Sequence, residues 1–370
     1  MAVPDRVFFA GGGTGGHLYP GLAIACALVK HAPHIEPFFV GAKRGIERDV
    51  LPATGFAHVL LDLHPLYRKA PWKNVVTLAG AARAWRQITD VARAGRPLAI
   101  VGTGGYAAGV ALAWGRMHGV PLALHEPDSH PGLTTRVFAG SARMVFPGFP
   151  EAASRLRTAA DARVVVLGAP IEPPPPVALR RSVVELRRVW DLPEDAFVVL
   201  VVGGSQGAGA LNEAIAAWCR RGLPEGVALI WATGRAHAAV YGDRESKMVR
   251  VRPYLAPIAD AYAVADLAVT RAGAMTIAEL CAWGIPSILV PLPTAAQDHQ
   301  THNARAVADA HAAIHLPQRE MSADSIDAQV RELRAQPHVL ESMRVAALAR
   351  ARPTAADDIA RAILDMIGNG

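Results

Sequence analysis

Three glycine-rich turns carry residue types suited to holding phosphate. Gly11-Gly12-Gly13-Thr14-Gly15-Gly16-His17 follows the apolar run Arg6-Val7-Phe8-Phe9-Ala10, and Gly203-Gly204-Ser205-Gln206-Gly207-Ala208 follows residues 196–202. Gly102-Thr103-Gly104-Gly105-Tyr106 ends another apolar run. Glycine admits tight turns and lets backbone N–H groups come close to an oxyanion. The helix that follows each turn points its positive dipole end at the same place. Two such strand–turn–helix units in tandem predict paired nucleotide-type domains, and an enzyme that brings two phosphorylated partners together.

Gly11, Gly13 and Gly16 satisfy the dinucleotide spacing G-x-G-x-x-G. That reading also needs an acidic residue at the end of the next strand to hold a ribose. Here the strand ends Phe39-Val40-Gly41-Ala42-Lys43, so nicotinamide and flavin enzymes are disfavoured while pyrophosphate binding survives. His17 sits in the first helical turn, where the dipole favours a neutral imidazole able to act as a base. Leu122-Ala123-Leu124-His125-Glu126-Pro127-Asp128 ends a further strand with a histidine and two carboxylates. In the second half, Thr270-Arg271-Ala272-Gly273 opens a helix carrying Thr276 and Glu279, whose spacing fits either a capping box or a diphosphate and ribose site. Ala296-Gln297-Asp298-His299-Gln300-Thr301-His302-Asn303 is a polar cluster suited to sugar hydroxyls. The chain has no D-x-D, H-E-x-x-H, CxxC or G-x-x-x-x-G-K-[ST] motif. A tightly held metal, any other cofactor and ATPase chemistry are therefore not expected, although Asp298, His299 and His302 are candidate ligands.

Around these segments, strand-like and helix-like runs alternate. Strands are expected at 6–10, 35–40, 59–63, 98–101, 122–124, 144–146 and 164–167, then at 196–202, 227–232, 249–251, 267–270, 287–290 and 313–315. This is an α/β pattern of two doubly wound parallel sheets. Four prolines, Pro173 to Pro176, mark a stiff connector. The expected division is an N-terminal domain at 1–168, a linker at 169–176 and a C-terminal domain at 177–350. Residues 351–370 form a last helix whose partner domain periodicity leaves open, a return to the N-terminal domain being one option.

At 370 residues, 51% hydrophobic and 19% charged, the chain holds two full cores and is not disordered. Cys26, Cys219 and Cys281 are isolated and read as reduced core thiols in a cytoplasmic protein. No signal peptide or membrane-spanning run is visible. A net charge of +6 suggests nucleic acid or an anionic membrane as partner. The cations cluster with Leu66, Tyr67, Trp72, Lys73, Val75, Val76, Arg83, Trp85 and Arg86, joined by Trp114 and Arg116. Basic and aromatic residues on an amphipathic helix suit a bilayer interface, and nucleic acid falls away.

In order, GGGTGGHLYPGLAIA, GTGGY, HEPD, VVGGSQGA, RAGAMTIAE and DHQTHNA resemble the MurG family of peptidoglycan glycosyltransferases, within glycosyltransferase family 28. The resemblance implies a GT-B fold, in which two Rossmann-like domains face a central cleft. It implies transfer of GlcNAc from UDP-GlcNAc to lipid I, giving lipid II for the cell wall, with inversion and without metal. It places the donor at Ser205, Gln206, Leu255, Ala274, Met275, Thr276, Ile277, Ala278, Glu279 and Gln300, with Thr14, Gly15, Gly16 and Asp128 also on the donor side. Gly13, Thr14, Gly104 and Gly105 would meet the acceptor pyrophosphate, and His17, Tyr106 and Glu126 match positions important for activity. His17 is the first choice of base, with Glu126 or Asp128 second. The family also implies a peripheral place on the cytoplasmic face of the inner membrane, and cell-wall synthesis and division proteins as partners. Two positions depart from it: H-E-Q-N reads His125-Glu126-Pro127-Asp128, and the arginine after G-N-P-V is Glu172. Either Arg252 or Arg271 substitutes for that missing cation, or donor binding is weaker. Alternatives are a related transferase with another lipid acceptor, a UDP-GlcNAc 2-epimerase and a non-catalytic sugar-nucleotide-binding subunit.

Overall fold

The runs read as strands form two parallel sheets, whose central strands bury aliphatic and aromatic side chains on both faces. The computed structural model describes residues 3–63, 74–204 and 208–368, without the side chains of 74–79 and 177. By packing, the chain divides into Met1–Glu172 with Arg352–Gly370, and Pro173–Ala351.

The first unit holds β1 (Asp5–Gly11), β2 (Glu36–Ala42), β3 (Ala57–Leu61), β4 (Arg96–Gly104), β5 (Leu122–Glu126), β6 (Met144–Pro147) and β7 (Arg163–Val164). They pair in parallel in the order β3-β2-β1-β4-β5-β6-β7. β7 is shorter than the expected 164–167 because it is an exposed edge piece. The helices Gly15–His31 and Gly105–Met117 follow β1 and β4 and cover opposite faces: Ile24 and Leu28 pack on Val7 and Phe9, and Ala108 and Leu112 on Phe8 and Ala10.

The second unit repeats the plan with β8 (Phe197–Val202), β9 (Val227–Ala232), β10 (Val249–Arg252), β11 (Leu267–Thr270), β12 (Ser287–Leu289) and β13 (Ala313–His315). Their order is β10-β9-β8-β11-β12-β13, again parallel. Both sheets therefore reverse winding direction once, between β1 and β4 and between β8 and β11. The crevice beyond the strand ends at such a reversal is where a doubly wound sheet binds ligands. Two of the glycine turns end the strands that flank the first reversal.

The last helix, Ala355–Gly368, docks on the helix Gly15–His31 in the first unit. Ile359, Ala360, Ile363 and Met366 are buried against that helix and its sheet. Asp357 accepts from His31 at 2.7 Å and from Lys30 at 3.2 Å. The hydrogen bond from His31 holds its carboxyl below the usual range. Cys281 is buried and Cys219 half-buried, and burial pushes both thiols up to about 11. Cys26 is exposed, contrary to the core expectation, because it lies on the outer side of its helix.

Candidate active site

At the reversal of the first sheet, the first and third glycine turns interlock. The Gly12 N–H donates to the Gly104 carbonyl at 3.3 Å, and the Thr103 hydroxyl donates to the His17 carbonyl at 2.7 Å. His17 Nδ1 lies 3.1 Å from the Thr103 carbonyl. A carbonyl only accepts, so Nδ1 carries the hydrogen, and in the neutral ring the lone pair sits on Nε2. Gly104 and Gly105 are at φ +103° and +78°. A Cβ on Gly104 would lie 2.6 Å from His17 Nδ1, and one on Gly105 would collide with the Gly12 carbonyl oxygen. The two glycines are thus required by both conformation and space. Thr14 and Gly16 are exposed, His17 and Tyr106 half-exposed, and Tyr106 packs on Gly13.

A residue that motif reading passed over completes this group. Glu47, the first residue of the short helix Glu47–Val50, is fully buried. Its Oε1 accepts the Gly13 N–H at 2.5 Å, so this amide, expected to face a phosphate, is already engaged. Burial pushes its carboxyl up, against the N–H groups of Glu47, Gly13 and Ala42. The only sequence signal for it was the pair of glycines at 41 and 45 that flank its seat.

Glu126 is buried, unlike the half-exposed His17. It accepts from the backbone of Asp128 at 3.1 Å and of Gly132 at 2.9 Å, and the Thr134 hydroxyl then donates to the Gly105 carbonyl at 3.0 Å. The carboxyl thus braces a loop that reaches the glycine turn. Burial raises it to about 7, while the Thr135 hydroxyl opposes. His125 is fully buried, and burial lowers it to about 4, so its ring is neutral. Asp128 is half-exposed and Glu172 exposed.

In the second unit the helix Ala274–Trp283 begins at the reversal, with Gly273 as its N-cap and no side-chain cap. Thr276 and Glu279 therefore lie within the helix, and the capping-box reading does not apply. The first amides of a helix lack intrahelical acceptors, so those of Ala274, Met275 and Thr276 are offered to an anion. Glu279 Oε2 accepts from the Tyr262 hydroxyl at 2.7 Å. Burial, then the Glu279 charge, raises the Tyr262 phenol well above its ordinary value, so it stays a donor. Ala274 and Ile277 are buried, and Met275 and Ala278 half-buried. Leu255 is buried. Gln300 Oε1 accepts the Leu292 N–H at 2.9 Å. Ser205 and Gln206 lie outside the described residues, as do Leu66, Tyr67, Trp72, Lys73 and the side chains of Val75 and Val76.

Three expectations change. Asn303 is not a surface hydroxyl-binder: it is fully buried and donates to the Ala272 carbonyl at 3.3 Å, fastening its helix to the turn after β11. Arg271 and Arg252 are both committed elsewhere. The buried Arg271 guanidinium donates to the carbonyls of Val290 and Pro291 and to Gln318, while Arg252 pairs with Glu245 at 3.1 Å and lies over Trp190. Trp114 is not a surface residue either: its indole N–H donates to Thr89 at 2.9 Å and its ring stacks on His118. Of the basic helix, Arg83 and Arg86 are exposed and Trp85 half-buried. Among the described residues, Asp298, His299 and His302 do not form a metal-ligating trio, and no helix is long and apolar enough to cross a membrane.

Residues 7–147 match the glycosyltransferase family 28 N-terminal domain and residues 198–359 its C-terminal domain. The UDP-N-acetylglucosamine–N-acetylmuramyl-(pentapeptide) pyrophosphoryl-undecaprenol N-acetylglucosamine transferase of Moorella thermoacetica is 37% identical, over 99% of this chain and 100% of that one. The enzyme of the same name from Desulforudis audaxviator is 36% identical, over 99% of each. Among solved structures, MurG of Acinetobacter baumannii superimposes with a TM-score of 0.76 at 26% identity, covering 98% of this chain and 100% of that one. With both domain models matched in order and relatives aligned end to end, the chain belongs to glycosyltransferase family 28, in the family of UDP-N-acetylglucosamine–N-acetylmuramyl-(pentapeptide) pyrophosphoryl-undecaprenol N-acetylglucosamine transferases.

Proposed function

We infer that the protein transfers GlcNAc from UDP-GlcNAc to the 4-hydroxyl of MurNAc in lipid I, forming lipid II with inversion at the anomeric carbon. The observation that carries this reading is end-to-end relatedness to transferases of that name, joined by two glycine turns at the reversal of the first sheet. In the reaction the acceptor oxygen attacks the anomeric carbon and the bond to UDP breaks, its electron pair leaving on the β-phosphate. The amides of Ala274, Met275 and Thr276 and the dipole of their ten-residue helix suit that developing charge. Glu279, steadied by Tyr262, suits the ribose hydroxyls, and Gln300 the sugar. Ser205, Gln206 and Leu255 complete the donor assignment, with Ile277 and Ala278 in the helix. In the first unit, Thr14, Gly15 and Gly16 suit both the donor sugar and the acceptor pyrophosphate, with Gly104 and Gly105 shaping the turn on the acceptor side. His17 Nε2 takes the hydroxyl proton. It is half-exposed with a fixed tautomer, whereas Glu126 is buried and braces a loop.

The acceptor is a lipid, so the protein acts at a membrane surface, as a peripheral protein of the cytoplasmic face. An apolar groove of about 350 Å³ between the helices Asn74–Ala94 and Gly105–Met117 supports this, lined by Ala81, Ala82, Trp85, Gly109, Val110 and Ala113. Exposed Arg83, Arg86 and Arg116 lie on the same two helices, a mix that suits an anionic interface.

The decisive experiment measures UDP release from UDP-GlcNAc in vesicles with and without lipid I, together with the lipid product. Release that requires lipid I and yields lipid II is expected. Equal release without it, or formation of an epimer, overturns the transfer reading.

A further inference from the structure

We propose that Glu47 is a positioning residue for the acceptor half of the reaction: it holds the Gly11–Thr14 turn, and with it the approach to His17, in the shape that receives the anionic end of the lipid acceptor. This rests on the transfer reading above.

A buried carboxyl is costly unless it is hydrogen-bonded, and packing alone would be served better by an aliphatic residue. Glu47 nevertheless has no accessible surface, and its Oε1 is 2.5 Å from the Gly13 nitrogen. Two chain segments are stripped of side chains around it. A Cβ on Gly12, in the turn after β1, would overlap Oε1, and a Cβ on Gly45, after β2, would overlap Oε2. A Cβ on Gly41 would come within 3.0 Å of the Glu47 stem. Tyr106 contacts the same turn at Gly13 and feels the Glu47 charge, so the carboxyl and the phenol both bear on one glycine.

The consequence is twofold. A run of glycines has more backbone freedom to lose than any other, and a hydrogen bond from its middle to a fixed carboxyl removes that freedom before substrate arrives. The bond also decides which amides are offered. With the Gly13 N–H held by Glu47, an incoming pyrophosphate is left the first amides of the helix Gly15–His31, next to His17. Glu47 thus sets the register of the acceptor on the turn without touching it.

The test uses the full chain and four variants: Glu47→Ala, Glu47→Gln, Gly45→Ala and the double variant Gly45→Ala/Glu47→Ala. Gly45 is outside the left-handed region and the three atoms nearest its Cβ would all belong to the Glu47 carboxyl, so Gly45→Ala evicts that carboxyl without deleting it. GlcNAc transfer is measured with lipid I and UDP-GlcNAc varied in turn. Glu47→Ala is expected to lower kcat/KM for lipid I about tenfold or more, the scale of a hydrogen bond to a charged group, and to leave the UDP-GlcNAc KM within about twofold. Glu47→Gln, whose amide oxygen still accepts the Gly13 N–H, should recover most of the loss. Gly45→Ala should reproduce the defect, and the double variant should be no worse than Glu47→Ala. If Glu47→Ala fails to fold, Gly45→Ala and Glu47→Gln carry the comparison. An unchanged kcat/KM for lipid I in Gly45→Ala, equal losses for both substrates, or multiplying losses in the double variant overturn the assignment. A wild-type chain that makes no lipid II overturns the transfer reading itself.

Discussion

Replacing glycine by alanine at two positions of one helix should have opposite effects. Gly105 and Gly109 both belong to the helix Gly105–Met117. At Gly109 a new Cβ meets nothing within 4 Å, on the wall of the apolar groove, so only the gain in helix propensity remains. That gain is about 1 kcal/mol, which raises the melting temperature of a unit of this size by about 2–4 °C. At Gly105 the backbone is at φ +78°, which costs an L-residue about 1–2 kcal/mol, and the new Cβ strikes the Gly12 carbonyl, a backbone atom unable to rotate away. The first glycine turn must then move, breaking the Gly12–Gly104 hydrogen bond, so a total loss of about 3 kcal/mol is expected. Urea unfolding and calorimetry of the two variants measure both signs, and transfer to lipid I reports the displaced turn. Gly109→Ala should be at least as stable as the parent. A Gly105→Ala protein with the parent's stability and turnover would refute the claim that the first and third turns are locked together.

Tyr262→Phe should weaken UDP-GlcNAc binding by about 1 kcal/mol by deleting the hydrogen bond it donates to Glu279, and unchanged affinity in calorimetric titration would remove Tyr262 from the donor site. Glu126 rises from 4.5 to about 7 on folding, so its contribution to stability is complete below about pH 4.5 and is lost as pH rises through 7. The stability of the parent minus that of Glu126→Gln should therefore fall by about 3 kcal/mol across that window, and a flat difference would contradict the burial argument. His17→Ala should cut turnover by about 10²-fold or more with UDP affinity intact; if the loss stays below about tenfold while Glu126→Gln abolishes transfer, the base is Glu126.

Much of this protein is written locally. Strands such as 198–201 are short aliphatic runs between turn residues, and the glycine turns follow them at once, so fold class, tandem plan and phosphate-type loops are legible from neighbours in the chain. Helix starts are less so: the spacing of Thr276 and Glu279 fits a cap, but the helix begins at Ala274 and its context made them interior residues. What the tertiary structure alone decided concerns partners far apart in sequence. Glu47 meets Gly13, Glu126 holds a loop tied to Gly105, Arg271 is consumed by carbonyls beyond β12, and the last helix returns to the first unit. None of these leaves a periodic trace, because a buried polar group is defined by whichever donor or acceptor folding brings within about 3 Å of it, and that proximity is a property of the winding of the sheet rather than of the residues on either side.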